Sequence, residues 1–484
     1  MIRQLSVPTL HPRLHALSDE QVRAIHSASL AILESTGIDL RADQTRTLLL
    51  DAGAWESEGR VKIPERLVVD ALQRAPSRIP MHNRLGELTM PLEQGNVFFG
   101  PGSDTNYVLD VHTRERRRTV AQDAEDSARL SDALDGLTFV MSMSNPSDVP
   151  PDDLYLHEFI GMIRGSVKPN VFTVNNRKDV EDIYRIGVAV AGSEQALREK
   201  PFFLLYPEPI SPLLMLEEVM QKIIFCAEKH IPTAFVPSAN PGGGGPITLA
   251  GALALANAEC LVGLIITQLV NPGTPFLYGF NTTALDMKTT IISYGAPEWS
   301  LGMAACNDLA RFYNLPVWGF GGASDSKVID AQMGLELTFS IMTAFLSRTT
   351  LVHDVGYIEH GTTASMEALV IADEVIRMTR FLVDGVDINE TTLALDAIAR
   401  AKPGAGFLTD DHTLENWKWA QWKAGVIDRN RHHRWEELGS KDMYERANEC
   451  ARKLLDQHQP APLSAEAEAV IADVLAEREA AARS

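Results

Sequence analysis

From about residue 138 the chain repeats a two-part pattern: a short apolar run rich in β-branched and aromatic residues, then a longer stretch with apolar residues three and four apart. The runs are FVMSMSNP (139–146), PNVFTVNN (169–176), FFLLYPEP (202–209), PTAFVPSAN (232–240), TPFLYGFNTT (274–283), PVWGFGGAS (316–324) and TTLVHDVGY (349–357), with a weaker one at GAGFLTDDHT (404–413). Short apolar runs bounded by turn residues predict buried strands. The helical spacing between them predicts helices over Leu154–Gly165, Asp179–Ala191, Leu213–Lys229, Ile247–Leu269, Ala296–Tyr313, Gln332–Ser347 and Ala364–Phe381. Strand–helix units recurring every 30 to 45 residues or so, about eight over roughly 280 residues, predict an α/β fold, a (β/α)8 TIM barrel across 136–430. The alternative, an open doubly wound sheet, lacks a GxGxxG after its first strands.

Residues 1–135 have a different texture. Ser18, with Gln21 at capping-box spacing, opens an amphipathic helix through Glu34 that Gly37 ends. Helices are expected at Ala42–Ala52 and Pro64–Arg74. The period then drops to two across IPMHN, GELTMP, NVFFGPG, NYVLDVHT and RRRTV, before a helix at Ala121–Ala133. This is an N-terminal α+β cap region. Residues 431–484, with the Ala/Glu-rich Ser464–Arg483, form a C-terminal helical extension expected to pack outside the barrel or at a subunit contact.

Charge narrows the functions. A net charge of −20 argues against nucleic acid and against an anionic membrane surface. The basic run Arg114–Arg118 is expected to be a solvated edge. Four cysteines lie far apart, with no CxxC and no histidine at metal-ligand spacing, so no disulfide framework, zinc knuckle or other tightly bound metal is expected. No secretory signal is visible in MIRQLSVPTLHPRLH. Ile247–Val270 is long enough to span a bilayer, but Asn257, Glu259 and Gln268 interrupt it and mark a buried helix. The expected location is cytoplasmic.

In a barrel the chemistry sits at the C-terminal ends of the strands. There the runs turn polar: Ser144 and Asn145, Asn175 and Asn176, Glu208, Ser238 and Asn240, Asn281 and Thr282, His353 and Asp354. Each such residue can simply cap the following helix or shape a turn, but together they ring one cavity. Lysine and arginine are scarce at these ends, which disfavours a phosphate-rich ligand, and no lysine ends a strand as a Schiff-base enzyme requires. Aromatic residues are well represented: Phe99, Tyr107, Tyr206, Phe276, Tyr278, Phe280, Trp318, Phe320 and Tyr357. They suit ordinary core packing or a cage for a quaternary ammonium, with Glu208 or Asp104 reinforcing it. The PGGGGP run (241–246) lacks the Lys-Ser/Thr of a P-loop and is expected to be a flexible rim loop.

GPGSDTNYVLD (100–110), VHDVGYIEHGTTASMEALVIADEVI (352–376), GFLTDDHT (406–413) and HHRWEELGSKDMYERANECARKLL (432–455) resemble the trimethylamine methyltransferase family, and the likeness covers nearly the whole chain. It implies a (β/α)8 barrel that delivers a methyl group to cobalamin on a separate corrinoid protein. The family's founding members carry pyrrolysine in the barrel; this chain has none. Cob(I)alamin attacks a methyl carbon directly when the leaving group is good, and a quaternary amine leaves as a neutral tertiary amine. The resemblance therefore points to the pyrrolysine-free branch similar to glycine betaine:corrinoid methyltransferases, acting by direct SN2 attack. On this reading His353 places the substrate or donates to a substrate carboxylate, and Asp104 contacts the cation or orients another group. Glu208, Asn240, Tyr278, Asn281, Tyr357 and Phe99 are the substrate-binding candidates. A homo-oligomer is expected. The rival readings are a barrel lyase or hydrolase using His353 with Asp354 or Glu359 as acid–base groups, and a quaternary-amine binding protein.

Overall fold

The computed structural model describes residues 11–483; residues 1–10, which hold most of the stretch read for a secretory signal, lie outside the described residues. Helices form close to where the 3.6-residue pattern places them. They run over Asp19–Ala31, Asp43–Asp51, Glu65–Arg74 and Ala121–Ala133, then Leu154–Gly165, Arg177–Ala191, Glu217–Lys229, Leu249–Val270, Pro297–Tyr313, Ala331–Ser347 and Met366–Asp384. Local chemistry fixes their ends. The Ser18 side chain accepts from the Gln21 N–H, and the Gln21 side chain accepts from the Ser18 N–H at 2.8 Å. Asn176 caps a later helix with the same reciprocal box, while Asp330 and Ser365 each accept from the N–H three residues on. Leu249–Val270 is long and apolar enough to cross a membrane, yet most of it is buried, against Asp19–Ala31, Glu65–Arg74 and Glu217–Lys229.

The strands formed by the apolar runs are parallel, whereas four other strand pairs, one of them Arg78–His82 with Leu88–Glu93, are antiparallel. Asn170–Phe172, Phe203–Leu205, Thr233–Ala234 and Phe276–Leu277 are neighbours in that order. Trp318–Phe320 pairs with Leu351–Val355, which pairs on its other edge with Phe98–Pro101. Single parallel bridges connect these two sets: Tyr278 with Val317, Val140 with Asn170, and Leu137 with Phe99. Three expectations change here. The run at 404–413 makes no strand; Asp410 instead caps a helix at Asp411–Ala420, because FL is followed at once by a capping TDD. The edge of Leu351–Val355 is taken by Phe98–Pro101, from the N-terminal region. Leu214–Leu216, expected to open a helix, is a strand paired with Asp39–Arg41.

Alternation along the strands divides their side chains. Phe98, Phe139, Val171, Leu204, Ala234, Leu277, Trp318 and Leu351 share one cluster with Ile79, Met81, Met90 and Leu92 of the hairpin Arg78–His82/Leu88–Glu93. Their neighbours Phe99, Val140, Phe172, Leu205, Phe276, Tyr278 and Val352 pack against the helices. At the C-terminal end, Met443–Gln457 packs on Met366–Asp384 and Ala121–Ala133, and Ala465–Ala482 on Arg177–Ala191.

Candidate active site

The strand Leu351–Val355 carries a register shift between Val352 and Val355, and Asp354 within it has φ 76°. A bulge of this kind re-aims side chains. Here two consecutive residues reach the inner cluster instead of alternating. The His353 ring lies 4.4 Å from Trp318, 4.8 Å from Phe320 and 5.4 Å from Tyr206, centroid to centroid. Tyr206 in turn stacks on Trp318 at 4.6 Å. His353 Nδ1 is 2.7 Å from Asp354 Oδ1 but off hydrogen-bonding geometry, so both ring nitrogens lack a hydrogen-bond partner. Asp354 acts electrostatically on Tyr206, Glu208, Tyr294, Tyr357 and Asp104.

Three further carboxyl groups gather around this bulge. Glu208 follows Phe203–Leu205 and accepts a hydrogen bond from the Tyr206 hydroxyl. Its side chain is accessible, yet enclosure by protein pushes its carboxyl above the usual range, with the charges of Asp104 and Asp354 adding to the shift. Asp104, in the GPGSD turn after Phe98–Pro101, has φ 60° and is likewise pushed up by burial. It accepts from Ser103 and, at 3.4 Å, from Thr173 at the end of Asn170–Phe172. Glu158, on the helix Leu154–Gly165, is buried; burial first and the charge of Asp104 second raise its carboxyl well above normal. Its Oε1 has no hydrogen-bond partner. Tyr294, from the loop between Phe276–Leu277 and Pro297–Tyr313, feels Asp354 and Glu208 and packs on Trp299 at 5.0 Å. Among the described residues, none of these four carboxylates is ion-paired to lysine or arginine.

Of the candidate residues, His353, Asp104, Glu208 and Tyr357 lie close enough to act on one another or on the neighbouring Asp354. Tyr357 packs its ring where a Cβ on Gly102 would stand and donates to the Ser103 carbonyl. The other four candidates are placed differently. Phe99 faces the helices, 4.8 Å from Phe345, and Tyr278 is buried on the helix side with its hydroxyl donating to Asn257 Oδ1 at 2.7 Å. Both have the opposite strand parity from the inner cluster. Asn281 Oδ1 accepts from the Thr283 N–H at 3.0 Å within a turn. Asn240 organises the glycine run, its carbonyl accepting from Gly243 at 2.9 Å and Gly245 at 3.0 Å, so PGGGGP is a hydrogen-bonded turn and not a loose loop. Glu158 and Tyr294 were not among the candidates. A glutamate inside LYLHEFIGMI, on the apolar side of a helix, is a signal that could have found the first; Tyr294, in a long polar loop, offers none.

A family model described as trimethylamine methyltransferase (MTTB) matches residues 3–482. The chain is 32% identical over 471 residues to trimethylamine methyltransferase MttB of Desulfitobacterium hafniense strain DCB-2, covering 96% of this chain and 94% of that protein. It is 30% identical over 473 residues to glycine betaine methyltransferase of strain Y51 of the same species, covering 97% and 98%. Among solved structures, the crystal structure of monomethylamine methyltransferase MtmB of Methanosarcina barkeri shares the fold, with TM-score 0.50 and 11% identity over 91% of this chain and 88% of that one. The fold is mixed α/β, and the chain is a methyltransferase. It belongs to the trimethylamine methyltransferase family, which displaces the lyase, hydrolase and binding-protein readings.

Proposed function

We propose that the chain moves a methyl group from a quaternary amine to cob(I)alamin on a separate corrinoid protein, by direct SN2 attack. One observation carries this reading: enclosed carboxylates and aromatic faces meet around His353 without a paired lysine or arginine. Such a site suits a cation that offers no hydrogen bond. At an effective dielectric of about 20, a cation roughly 5 Å from one carboxylate gains about 3 kcal/mol. An aromatic face adds about 0.5–2 kcal/mol. The carboxylates therefore set affinity and the rings set orientation. The relatives' names cite trimethylamine and glycine betaine, both methylated amines; without pyrrolysine, the quaternary class is the one whose methyl can leave unaided.

Cobalamin, held by the corrinoid protein, would supply the nucleophile for the methyl group. The carbon–nitrogen electron pair stays on the departing tertiary amine, so no proton has to move. The residues of this chain bind, orient and exclude water: Asp104, Glu208 and Asp354 offset the positive charge, and His353, Trp318, Phe320 and Tyr206 fix the methyl-bearing nitrogen. Ile210, Ile247, Met287, Ile291 and Val328 stand exposed on the loops that follow four successive strands, and this apolar rim suits docking of the corrinoid protein.

The pattern of strand pairs supports a closed (β/α)8 barrel. In it Phe98–Pro101 serves as a strand, so that the region 1–135 lends one strand to the barrel of 136–430, with 431–484 as the helical extension. We place the protein in the cytoplasm and assemble it with copies of itself through the exposed helices of 386–422. Anaerobic incubation with tetramethylammonium, choline or glycine betaine, cob(I)alamin and a reductant tests the function. Methylcobalamin should form with at least one of them; its absence with all three sinks the reading.

A further inference from the structure

A cavity of about 180 Å³ is lined by Arg13, Gln94, Asn307, Arg311, Arg348 and Thr350 among others. Thr350 precedes the strand Leu351–Val355, and Val317, also in the lining, precedes Trp318–Phe320. The cavity therefore lies at the N-terminal ends of these strands, away from Asp354 and Glu208. One wall is the segment 11–17, held down by backbone bonds: the Leu14 N–H donates to the Leu346 carbonyl, and the Ala16 and Leu17 N–H groups to Asp308 Oδ2, each at 2.8 Å. Arg348 follows the helix Ala331–Ser347 in the left-handed conformation, φ 61°.

Three guanidinium groups thus share one small space, and only one of them is neutralised. Arg311 pairs with Asp308 at 2.7 Å, and that carboxylate also meets His15 at 2.9 Å. Among the described residues neither Arg13 nor Arg348 has an ion-pair partner, and residues 1–10 hold no aspartate or glutamate. Arg348 Nε is buried with no acceptor, which costs about 1–3 kcal/mol if nothing fills the space. Burial and the charge of Arg13 both work against the Arg348 cation, and Asp384 offsets them from beyond pairing distance. Thr350 Oγ1 accepts from the Val317 N–H at 3.1 Å, which leaves its hydroxyl proton to be given elsewhere. Asn307 Oδ1 is a buried acceptor without a donor, its Nδ2 being spent on the Met303 carbonyl at 2.9 Å and Thr349 Oγ1 at 2.7 Å.

A water molecule fits such a cavity but cannot neutralise two guanidinium groups. An oxyanion that keeps one proton meets every demand, with oxygens for Arg13, Arg348 and Thr350 and an O–H for Asn307. We propose that this cavity binds a small oxyanion of the phosphate type, which ties the N-terminal segment to the strand ends through Arg13 and Arg348. The site shares no residue with the one around His353, so the inference stands independently of the methyl-transfer reading.

Calorimetric titration of the full chain with inorganic phosphate, at constant ionic strength in chloride, tests it. Saturable binding of one phosphate per chain is expected, with a rise in Tm as phosphate is added. Arg13→Gln and Arg348→Gln should each weaken that binding at least five-fold. Arg13 is exposed, so its variant keeps the fold; circular dichroism checks the other. Glycerol 3-phosphate in place of phosphate distinguishes a free ion from the head of a larger ester, and tighter binding of either one identifies the ligand of the site. No saturable binding of either compound overturns the inference, as does a loss smaller than five-fold in either folded variant.

Discussion

His353 and Asp354 are adjacent in the chain, so an unbroken strand would send one of them outward; the bulge and the positive φ of Asp354 bring both inside. Ring packing on three aromatic neighbours, with unpaired nitrogens, makes shape the main contribution of His353. His353→Ala should therefore cut kcat/KM for methyl transfer at least ten-fold, while His353→Phe restores most of it; equal losses in both would return the role to the imidazole nitrogens. The carboxyls give a pH dependence. Burial raises Glu208 and Asp104 in the folded protein, so they ionise at higher pH than ordinary carboxyls and only the ionised forms attract a cation. Affinity for tetramethylammonium should rise with pH through that raised range and fall below it, and Glu208→Gln should flatten the profile. The same sign means that these groups favour the folded state at low pH and oppose it as pH climbs, so Glu208→Gln should raise Tm near neutrality while weakening binding. At this scale the residue types were legible and their direction was not. Phe99 and Tyr278 were aromatic and near strand ends, but parity turned them to the helices, whereas Trp318 and Phe320 share the parity of Leu351.

Elements were easier to read than their partners. Caps and apolar spacing set the helices through local contacts, which a sequence displays directly. Pairing is non-local, and the strand beside Leu351–Val355 comes from residues 98–101, some 250 positions earlier, where no pattern along the chain advertises it. FLTDD looked like the missing strand because Leu408 follows an aromatic residue, yet Asp410 is a better helix cap than a strand residue. One buried side chain ties an inner helix to the segment leading into the C-terminal extension. Glu374, on Met366–Asp384, accepts from the Gly425, Val426 and Ile427 N–H groups at 2.7 to 3.2 Å and pairs with Arg377. Glu374→Ala leaves three N–H groups without their acceptor and removes one of the two carboxylates on the Arg377 guanidinium, Asp373 remaining at 2.7 Å, and should destabilise the chain by about 2–4 kcal/mol in urea unfolding. A change under about 0.5 kcal/mol, the size of an ordinary surface substitution, would mean that the segment at 425–427 is held by packing alone.

On the molecule as a whole, two sets of apolar side chains stand exposed, and the proposed function gives each a different partner. Residues 386–422 bury almost nothing of their own: Val386, Leu395, Leu408, Leu414 and Trp417 are all exposed, Leu408 by 85%. Leu408→Asp with Trp417→Asp should shift sedimentation toward a smaller species if copies of the chain cover one another there. The other surface is the rim, where Ile247 and Met287 are 62% and 66% exposed and lie together over Gly242. A carboxylate placed there touches neither the His353 rings nor the enclosed acids, so its effect depends on who delivers the acceptor. Ile247→Asp and Met287→Asp should leave transfer to free cob(I)alamin within about two-fold, since small molecules need no docking surface. Transfer to the corrinoid protein should drop ten-fold or more, as the loss of central apolar anchors usually does. If both acceptors suffer equally, the rim belongs to the cavity and the partner docks elsewhere; if neither suffers, the apolar loops are no part of the encounter.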